Sequence, residues 1–149
     1  MVLRMSNKQK CIDVCNGLLR GELSAVETYT QAIEKFKDHT ACHQLEKIRG
    51  DHEQSAAVLR QHLLDMGAEP AKSSGAWGMF AQAVEGGAKL FGESAALQAL
   101  IEGEEHGEKE YDKALKELDV MEEIKMEIHS SLMPRLGNHI VVLLELKSR

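Results

Sequence analysis

Leu18-Leu19-Arg20-Gly21-Glu22-Leu23-Ser24-Ala25-Val26-Glu27-Thr28-Tyr29 is the stretch that decides the fold, because its pattern returns later in the chain. The second copy reads Leu100-Ile101-Glu102-Gly103-Glu104-Glu105-His106-Gly107-Glu108-Lys109-Glu110-Tyr111. Both copies contain Gly-Glu, six further residues and then Tyr. A weaker echo follows each copy, as Gly50-Asp51-His52 and Gly137-Asn138-His139. The repeat predicts two helical hairpins, each contributing one glutamate and one histidine.

Composition favours an all-α, single-domain protein over residues 1–149. Hydrophobic residues make up 43% of the chain and charged residues 28%, with only two prolines. The net charge of -6 argues against a nucleic-acid partner, because phosphate binding needs a basic face. We expect no membrane association, since the chain has neither a secretory signal nor an apolar run of transmembrane length. The sparse cysteines Cys11, Cys15 and Cys42 favour a reducing, cytoplasmic location.

Apolar residues recur at spacings of three and four along four segments, which predicts four long helices. The first hairpin is expected over 6–67 and the second over 94–148. Between them, 68–93 is predicted to be a crossover that carries a short extra helix containing Trp77. A flexible linker is the alternative for this segment. Pro134 falls inside the fourth helix, where it predicts a kink or a division into two pieces.

Four polar residues interrupt the four apolar stripes, one in each long helix. Their distances from the hairpin turns agree to roughly one helical turn, so antiparallel packing could bring them into one layer of the core. Buried carboxylates need protons, cations or a metal ion. Two glutamates and two histidines suit iron, manganese or zinc. The predicted metal ligands are Glu22, His52, Glu104 and His139.

Glycines and tyrosines accompany this predicted layer. Tyr29 and Tyr111 lie two turns beyond the glutamates, where their hydroxyls could hydrogen-bond a carboxylate of the other hairpin. Simple packing in an aromatic core is the alternative. The glycines come one or two residues before the polar positions and predict either close helix approach or space in the core. They are Gly21, Gly50, Gly103 and Gly137.

These elements together resemble the ferritin-like superfamily. In that superfamily two helical hairpins each offer a Glu, a Tyr seven residues later, and then Glu-x-x-His, with a long crossover between the hairpins. The matching residues are Glu22 with Tyr29, Glu104 with Tyr111, and the histidines His52 and His139. The glycine-rich crossover and the Gly-Glu-Glu-His region further resemble an uncharacterised bacterial ferritin-like family, a domain of unknown function. The resemblance implies an antiparallel four-helix bundle.

The chain departs from the superfamily pattern at two positions. Arg49 and Leu136 stand where the glutamates of Glu-x-x-His are expected. Six protein ligands hold a di-iron centre in that superfamily and four remain here, so the resemblance implies a degenerate site for one ion, two at most. We expect Arg49 to direct a positive charge towards the site and Glu108 to be the best spare ligand. The acids and the histidine beside the stripes are predicted to be solvated: Glu27, Asp51, Glu53, Glu105 and His106.

Three functional hypotheses follow. The first is a metal-binding ferritin-like protein, with a redox or stress-related role if the ion is iron or manganese. The second is a non-enzymatic bundle whose vestigial polar layer sets the helix register, while its outer face serves self-association or a protein partner. The third is copper storage or sensing through Cys11, Cys15, Cys42 and the seven methionines. None of them assigns a catalytic residue, and a homodimer is expected because bundles of this kind often pair.

Overall fold

Long helices make up most of the chain in a computed structural model that describes residues 2–74 and 92–149, with side chains from Asn7 onward. The predicted short helix around Trp77 lies outside the described residues. Within them no strand occurs, which confirms the all-α prediction. No helix of this part is long and apolar enough to cross a membrane. The elements are α1 (Val2–Lys35), α2 (His39–Asp65), α3 (Glu93–Lys116), α4 (Glu122–Glu127), a π-helical turn (Ile128–Leu132) and α5 (Met133–Lys147).

The first hairpin joins α1 to α2 through a connection of three residues. Asp38 begins α2, because its carboxylate accepts a hydrogen bond from the Ala41 amide at 2.9 Å. Gly67 ends α2 with a φ of 73°, a left-handed conformation that glycine adopts at little cost. The amide of Ala68 then donates to the Leu63 carbonyl at 2.9 Å, which closes the helix in a Schellman motif.

The second hairpin joins α3 to a fourth helical stretch made of α4, the π-helical turn and α5. At the end of this turn the Met133 amide donates to the carbonyl of Ile128, five residues earlier. Pro134 follows directly, in the first turn of α5. Proline has no amide hydrogen and its ring crowds the carbonyl four residues back, so a wider turn at this point relieves the conflict. The predicted fault takes the form of a π-helical turn within a continuous helix.

In the part of the chain that the structure describes, the core forms two hydrophobic clusters, one above the other along the bundle. One contains Cys11, Leu19 and Leu59, with Ile128 and Leu132 from the fourth stretch. The other contains Leu45 and Ile48 from α2, with Leu97, Leu100 and Leu143. Helix α1 packs mainly on α2 and α3 mainly on α5, while α1 also faces α3 and α2 faces α5. Each of the four long stretches therefore contributes to both clusters.

Candidate metal centre

A buried polar layer separates the two hydrophobic clusters. Glu22 on α1, His52 on α2, Glu104 on α3 and His139 on α5 each retain only 3–4% of their accessible surface. On every helix the polar residue comes between residues of one cluster and residues of the other. Because water is excluded above and below, these charges must be satisfied within the layer.

His52 is the central residue of the layer. Its Nδ1 donates to Glu22 Oε2 at 2.6 Å, and its Nε2 donates to Glu104 Oε1 at 2.7 Å. One imidazole therefore links carboxylates from two different helices. Burial alone lowers the pKa of His52, but the charges of Glu104 and Glu22 and their hydrogen bonds outweigh it, and the pKa lies well above the usual value. Without a metal ion, the proton on His52 balances part of the buried negative charge.

The two tyrosines bond across the hairpins. Tyr29 donates to Glu104 Oε1 at 2.7 Å, and Tyr111 donates to Glu22 Oε1 at 2.6 Å. Each hydroxyl thus holds the glutamate of the opposite hairpin. Burial and the nearby carboxylates raise the pKa of both tyrosines well above the usual value, so both remain protonated donors. The Tyr29 ring also stacks on His52, with ring centroids 5.5 Å apart.

His139 lies at the edge of the layer. Its Nδ1 is 3.3 Å from the Glu104 carboxylate, and its Nε2 is 2.8 Å from Asp51 Oδ2. The Asp51 side chain retains 46% exposure, so this end of the layer reaches solvent. Burial raises the pKa of Glu104, but His52 and His139 outweigh that effect and lower it to about 2. Glu104 is therefore an ionised carboxylate held between two imidazoles.

Three of these residues could hold a metal ion. Ligand atoms of His52, Glu104 and His139 all lie within 4.8 Å of one another, and all three residues are buried. Glu22 contacts Nδ1 of His52, the ring nitrogen on the side away from Glu104. In this arrangement Glu22 orients the imidazole and is not itself a ligand. A carboxylate that accepts the other N–H of a ligating histidine is a common feature of metal sites.

Arg49 and Glu108, the other residues predicted near the site, lie apart from the hydrogen-bonded layer. The guanidinium of Arg49 lies 3.6 Å from Glu53 and donates to the Thr30 hydroxyl at 3.4 Å. Glu108 is half-buried, one turn beyond Glu104, and burial together with the Glu104 and Glu105 charges raises its pKa. Its carboxylate lies towards α5, since Glu108 Oε2 is 3.8 Å from the Cβ position of Gly137.

Asp51 is the layer residue that sequence reasoning misses. Its position beside the apolar stripe predicts a solvated side chain, and the carboxylate is indeed half exposed, yet it also reaches His139. Asp51 directly precedes His52, and the matching residue of the second hairpin is Asn138. A carboxylate next to one histidine and an amide next to the other was a usable signal that the two hairpins differ.

A cavity of about 60 Å³ reaches the layer between α1 and α3. Glu22, Glu104 and His52 form part of its wall, and both layer tyrosines contribute to it. Gly21 and Gly103 also line the cavity, which agrees with the prediction of space in the core. Gly50 does not mark a close approach between helices, because a Cβ there would meet no atom within 4 Å.

The cysteines lie away from the layer and do not form one cluster. Cys11 and Cys15 are buried in the first hydrophobic cluster, whereas the half-buried Cys42 packs against the second. Burial, followed by the proximity of Cys11, raises the pKa of Cys15 to about 12, so this thiol stays protonated. These surroundings are those of core thiols and do not favour the copper site of the third hypothesis.

Comparison with known proteins places the chain in one family. The family described as "Domain of unknown function (DUF2383)" matches residues 10–117. This range includes Glu22, His52 and Glu104, and it ends before His139. Comparison with curated proteins found no match, and comparison with solved structures found none. Because the match covers more than half of its length, the chain belongs to the DUF2383 family.

Proposed function

We propose that this protein is a ferritin-like metal-binding bundle that holds one transition-metal ion in its polar layer. The observation that carries the proposal is the convergence of ligand atoms from His52, Glu104 and His139 within 4.8 Å inside the core. Two imidazoles and a carboxylate form a donor set suited to iron, manganese or zinc. Glu22 completes the predicted set, either as the hydrogen-bond partner of His52 Nδ1 or as a further ligand.

Two departures from the superfamily pattern support a site for one ion and not two. Leu136 is buried, and its Cδ1 would lie 3.0 Å from a Cβ on Gly107, so an apolar contact occupies a position where the superfamily pattern has a bridging glutamate. Arg49, at the other such position, pairs with Glu53 near the surface. A second ion would lack both bridging carboxylates.

Cation binding and protonation of His52 are alternatives in this site. In the arrangement described above, both nitrogens of His52 donate to carboxylates, so Nε2 has no lone pair for a metal. A ligating His52 would keep the Nδ1 hydrogen bond to Glu22 and release the proton that now lies towards Glu104. Metal affinity is therefore expected to rise with pH, and binding should release protons.

The cavity gives small molecules access to the site. Small residues contribute to its lining, among them Gly17, Ala25, Ala99 and Gly107, and its volume of about 60 Å³ is enough for small molecules. An iron or manganese ion with an open coordination position supplies redox chemistry towards oxygen or peroxide. In such a role the cavity would admit the small molecule, and the buried tyrosines would hold the two glutamates in place.

Metal analysis of untagged protein tests this proposal. We expect about one equivalent of iron, manganese or zinc per chain, together with a higher melting temperature when the metal is added. His52→Ala and His139→Ala should each abolish stoichiometric binding. His62→Ala is the matched control, because His62 is a half-buried histidine of α2 that contacts Glu123 and Glu127 far from the layer. Absence of both bound metal and stabilisation in the wild type contradicts the proposal.

A second candidate function is favoured by one observation. Among the described residues, only Gln31 Oε1 is a buried side-chain N or O atom without a hydrogen-bond partner, so the layer is satisfied without a metal. The protein would then be a non-enzymatic bundle whose layer sets helix register. This candidate predicts that simultaneous replacement of all four layer residues by leucine or methionine leaves a folded protein of equal or higher stability. Dimerisation and a cytoplasmic location stay predictions from the sequence.

A further inference from the structure

The two histidines of the layer present different nitrogens to Glu104. His52 places Nε2 at 2.7 Å from this carboxylate, whereas His139 places Nδ1 at 3.3 Å from it. In each ring the opposite nitrogen contacts another carboxylate. Glu22 lies 2.6 Å from Nδ1 of His52, and Asp51 lies 2.8 Å from Nε2 of His139.

A neutral imidazole has one N–H and one lone pair, and only the lone pair can bind a metal. The hydrogen bond made by the N–H decides which nitrogen keeps the lone pair. Both nitrogens of His139 face a carboxylate, but Asp51 lies 2.8 Å from Nε2 and Glu104 lies 3.3 Å from Nδ1. The closer carboxylate favours the N–H on Nε2 and leaves the lone pair on Nδ1. In His139 that nitrogen points at Glu104, inside the candidate metal centre.

We propose that Asp51 is a positioning residue for the metal centre, which holds the Nε2–H of His139 so that Nδ1 is the ligating nitrogen. This inference rests on the proposed metal-binding function and adds a residue to it. Asp51 comes from α2, whereas His139 is on α5, so the contact also joins helices of different hairpins. The consequence is a site with mixed ligation, Nε2 from His52 and Nδ1 from His139.

The internal repeat indicates which replacement tests the role of the carboxylate at this position. The residue equivalent to Asp51 in the second hairpin is Asn138, which is exposed. An amide oxygen can also accept the Nε2–H, but a charged acceptor forms the stronger hydrogen bond. Asp51→Asn should therefore preserve the tautomer with partial loss of affinity, and Asp51→Ala should lose the preference.

Zinc binding and imidazole NMR test the inference on the full chain. Zinc is the probe because it is diamagnetic, and its affinity can be measured by competition with a chelator. We expect Asp51→Ala to weaken zinc binding by about 10- to 100-fold and Asp51→Asn to weaken it less. In zinc-loaded wild type, long-range 1H–15N spectra should show His139 protonated at Nε2 and bound through Nδ1.

Glu53→Ala is the matched control, since it removes one negative charge from an exposed residue of the same helix, two positions away. It should leave both the affinity and the nitrogen assignment unchanged. If Asp51→Ala behaves like Glu53→Ala in both measurements, or if wild-type His139 binds zinc through Nε2, the positioning role is wrong. If wild type binds no zinc at all, the proposed function fails and this inference fails with it.

Discussion

The two hairpins carry the same Glu, Tyr and His pattern, yet their histidines occupy unlike places. Both nitrogens of His52 contact buried carboxylates, whereas His139 contacts one buried carboxylate and the half-exposed Asp51. The residues that precede the two histidines differ as well, since the second hairpin has Asn138 where the first has Asp51. A repeated motif thus yields one central and one peripheral imidazole.

The tyrosines behave differently from the histidines, because their contacts are reciprocal. Tyr29 reaches Glu104 and Tyr111 reaches Glu22, at 2.7 and 2.6 Å. The hydrogen bonds that cross between the hairpins therefore follow the symmetry of the internal repeat. This symmetry is absent at the edge of the layer, where the half-exposed Asp51 contacts His139.

The largest expected effect comes from removing the central histidine. His52→Ala leaves Glu22 and Glu104 buried without their shared cationic partner, and should lower the free energy of unfolding by roughly 3–5 kcal/mol. His139→Ala should cost only about 1–2 kcal/mol, since Glu104 keeps two other donors and water can reach Asp51. Urea denaturation of metal-free protein at neutral pH measures both losses. Equal losses would mean that the two imidazoles are equivalent after all.

The pH dependence of stability should reveal the same central group. Glu104 has a pKa of about 2 in the folded protein against an ordinary value of 4.5, so its stabilisation is present above pH 4.5 and lost as the pH falls towards 2. His52 has a raised pKa, so its stabilisation is present below about pH 6.5 and lost as the pH rises through the folded-state value. Metal-free protein should therefore be most stable between about pH 4.5 and 6.5.

Denaturant midpoints measured across the pH range test this expectation. His52→Ala should flatten the alkaline decline, because the group responsible for it is gone. A decline that persists unchanged in His52→Ala would assign it to another residue.

Loss of either tyrosine hydroxyl should have a smaller effect, and the two should differ. Tyr111→Phe leaves Glu22 with one donor, His52, and should cost about 2 kcal/mol. Tyr29→Phe should cost about 1 kcal/mol, because Glu104 retains both histidines. Thermal and chemical denaturation of the two variants side by side measure the difference. A larger loss for Tyr29→Phe would contradict this ranking of the two carboxylates.

The smallest expected effects come from two glycines. Gly50→Ala should raise the free energy of unfolding by about 0.5–1 kcal/mol, because the site is helical and a methyl group meets no atom within 4 Å. Gly107→Ala should gain nothing or lose slightly, since its Cβ would lie 3.0 Å from Leu136 Cδ1. Denaturant unfolding of both variants checks the sign. A stabilising Gly107→Ala would show that Leu136 moves freely.

Periodicity and the internal repeat are enough to predict the all-α fold and to select the four residues that the structure brings into one layer. Each of them interrupts an apolar stripe, and burial on a helix follows directly from that spacing. The cross-hairpin role of Tyr29 and Tyr111 follows from the same argument, because both lie on the stripe two turns away.

Periodicity and the repeat do not predict the contact between Asp51 and His139. Asp51 lies at the border of its stripe, and only the distance between α2 and α5 decides whether its carboxylate reaches an imidazole. The contacts of Arg49 are hidden for the same reason, since a long side chain can turn to either flank of its helix. Single-helix patterns identify what is buried, whereas contacts at the edge depend on how helices pack.

The π-helical turn did leave a signal in the sequence. From Ile124 to Leu136 the buried residues recur at three successive spacings of four, ending at Ile128, Leu132 and Leu136. At 3.6 residues per turn, those twelve residues would carry the face about 120° beyond three full turns. The wider turn takes up the surplus and keeps His139 directed inward.

The surplus residue and Pro134 are consequently coupled in the structure of this helix. A chain that lacked one residue from 129–131 but kept the proline would bring its ring against an ordinary α-helical carbonyl. A chain that lacked one of these residues and had another residue in place of Pro134 could form an uninterrupted α-helix with its inward side almost unchanged. The effects of the two changes on stability are therefore expected to be non-additive.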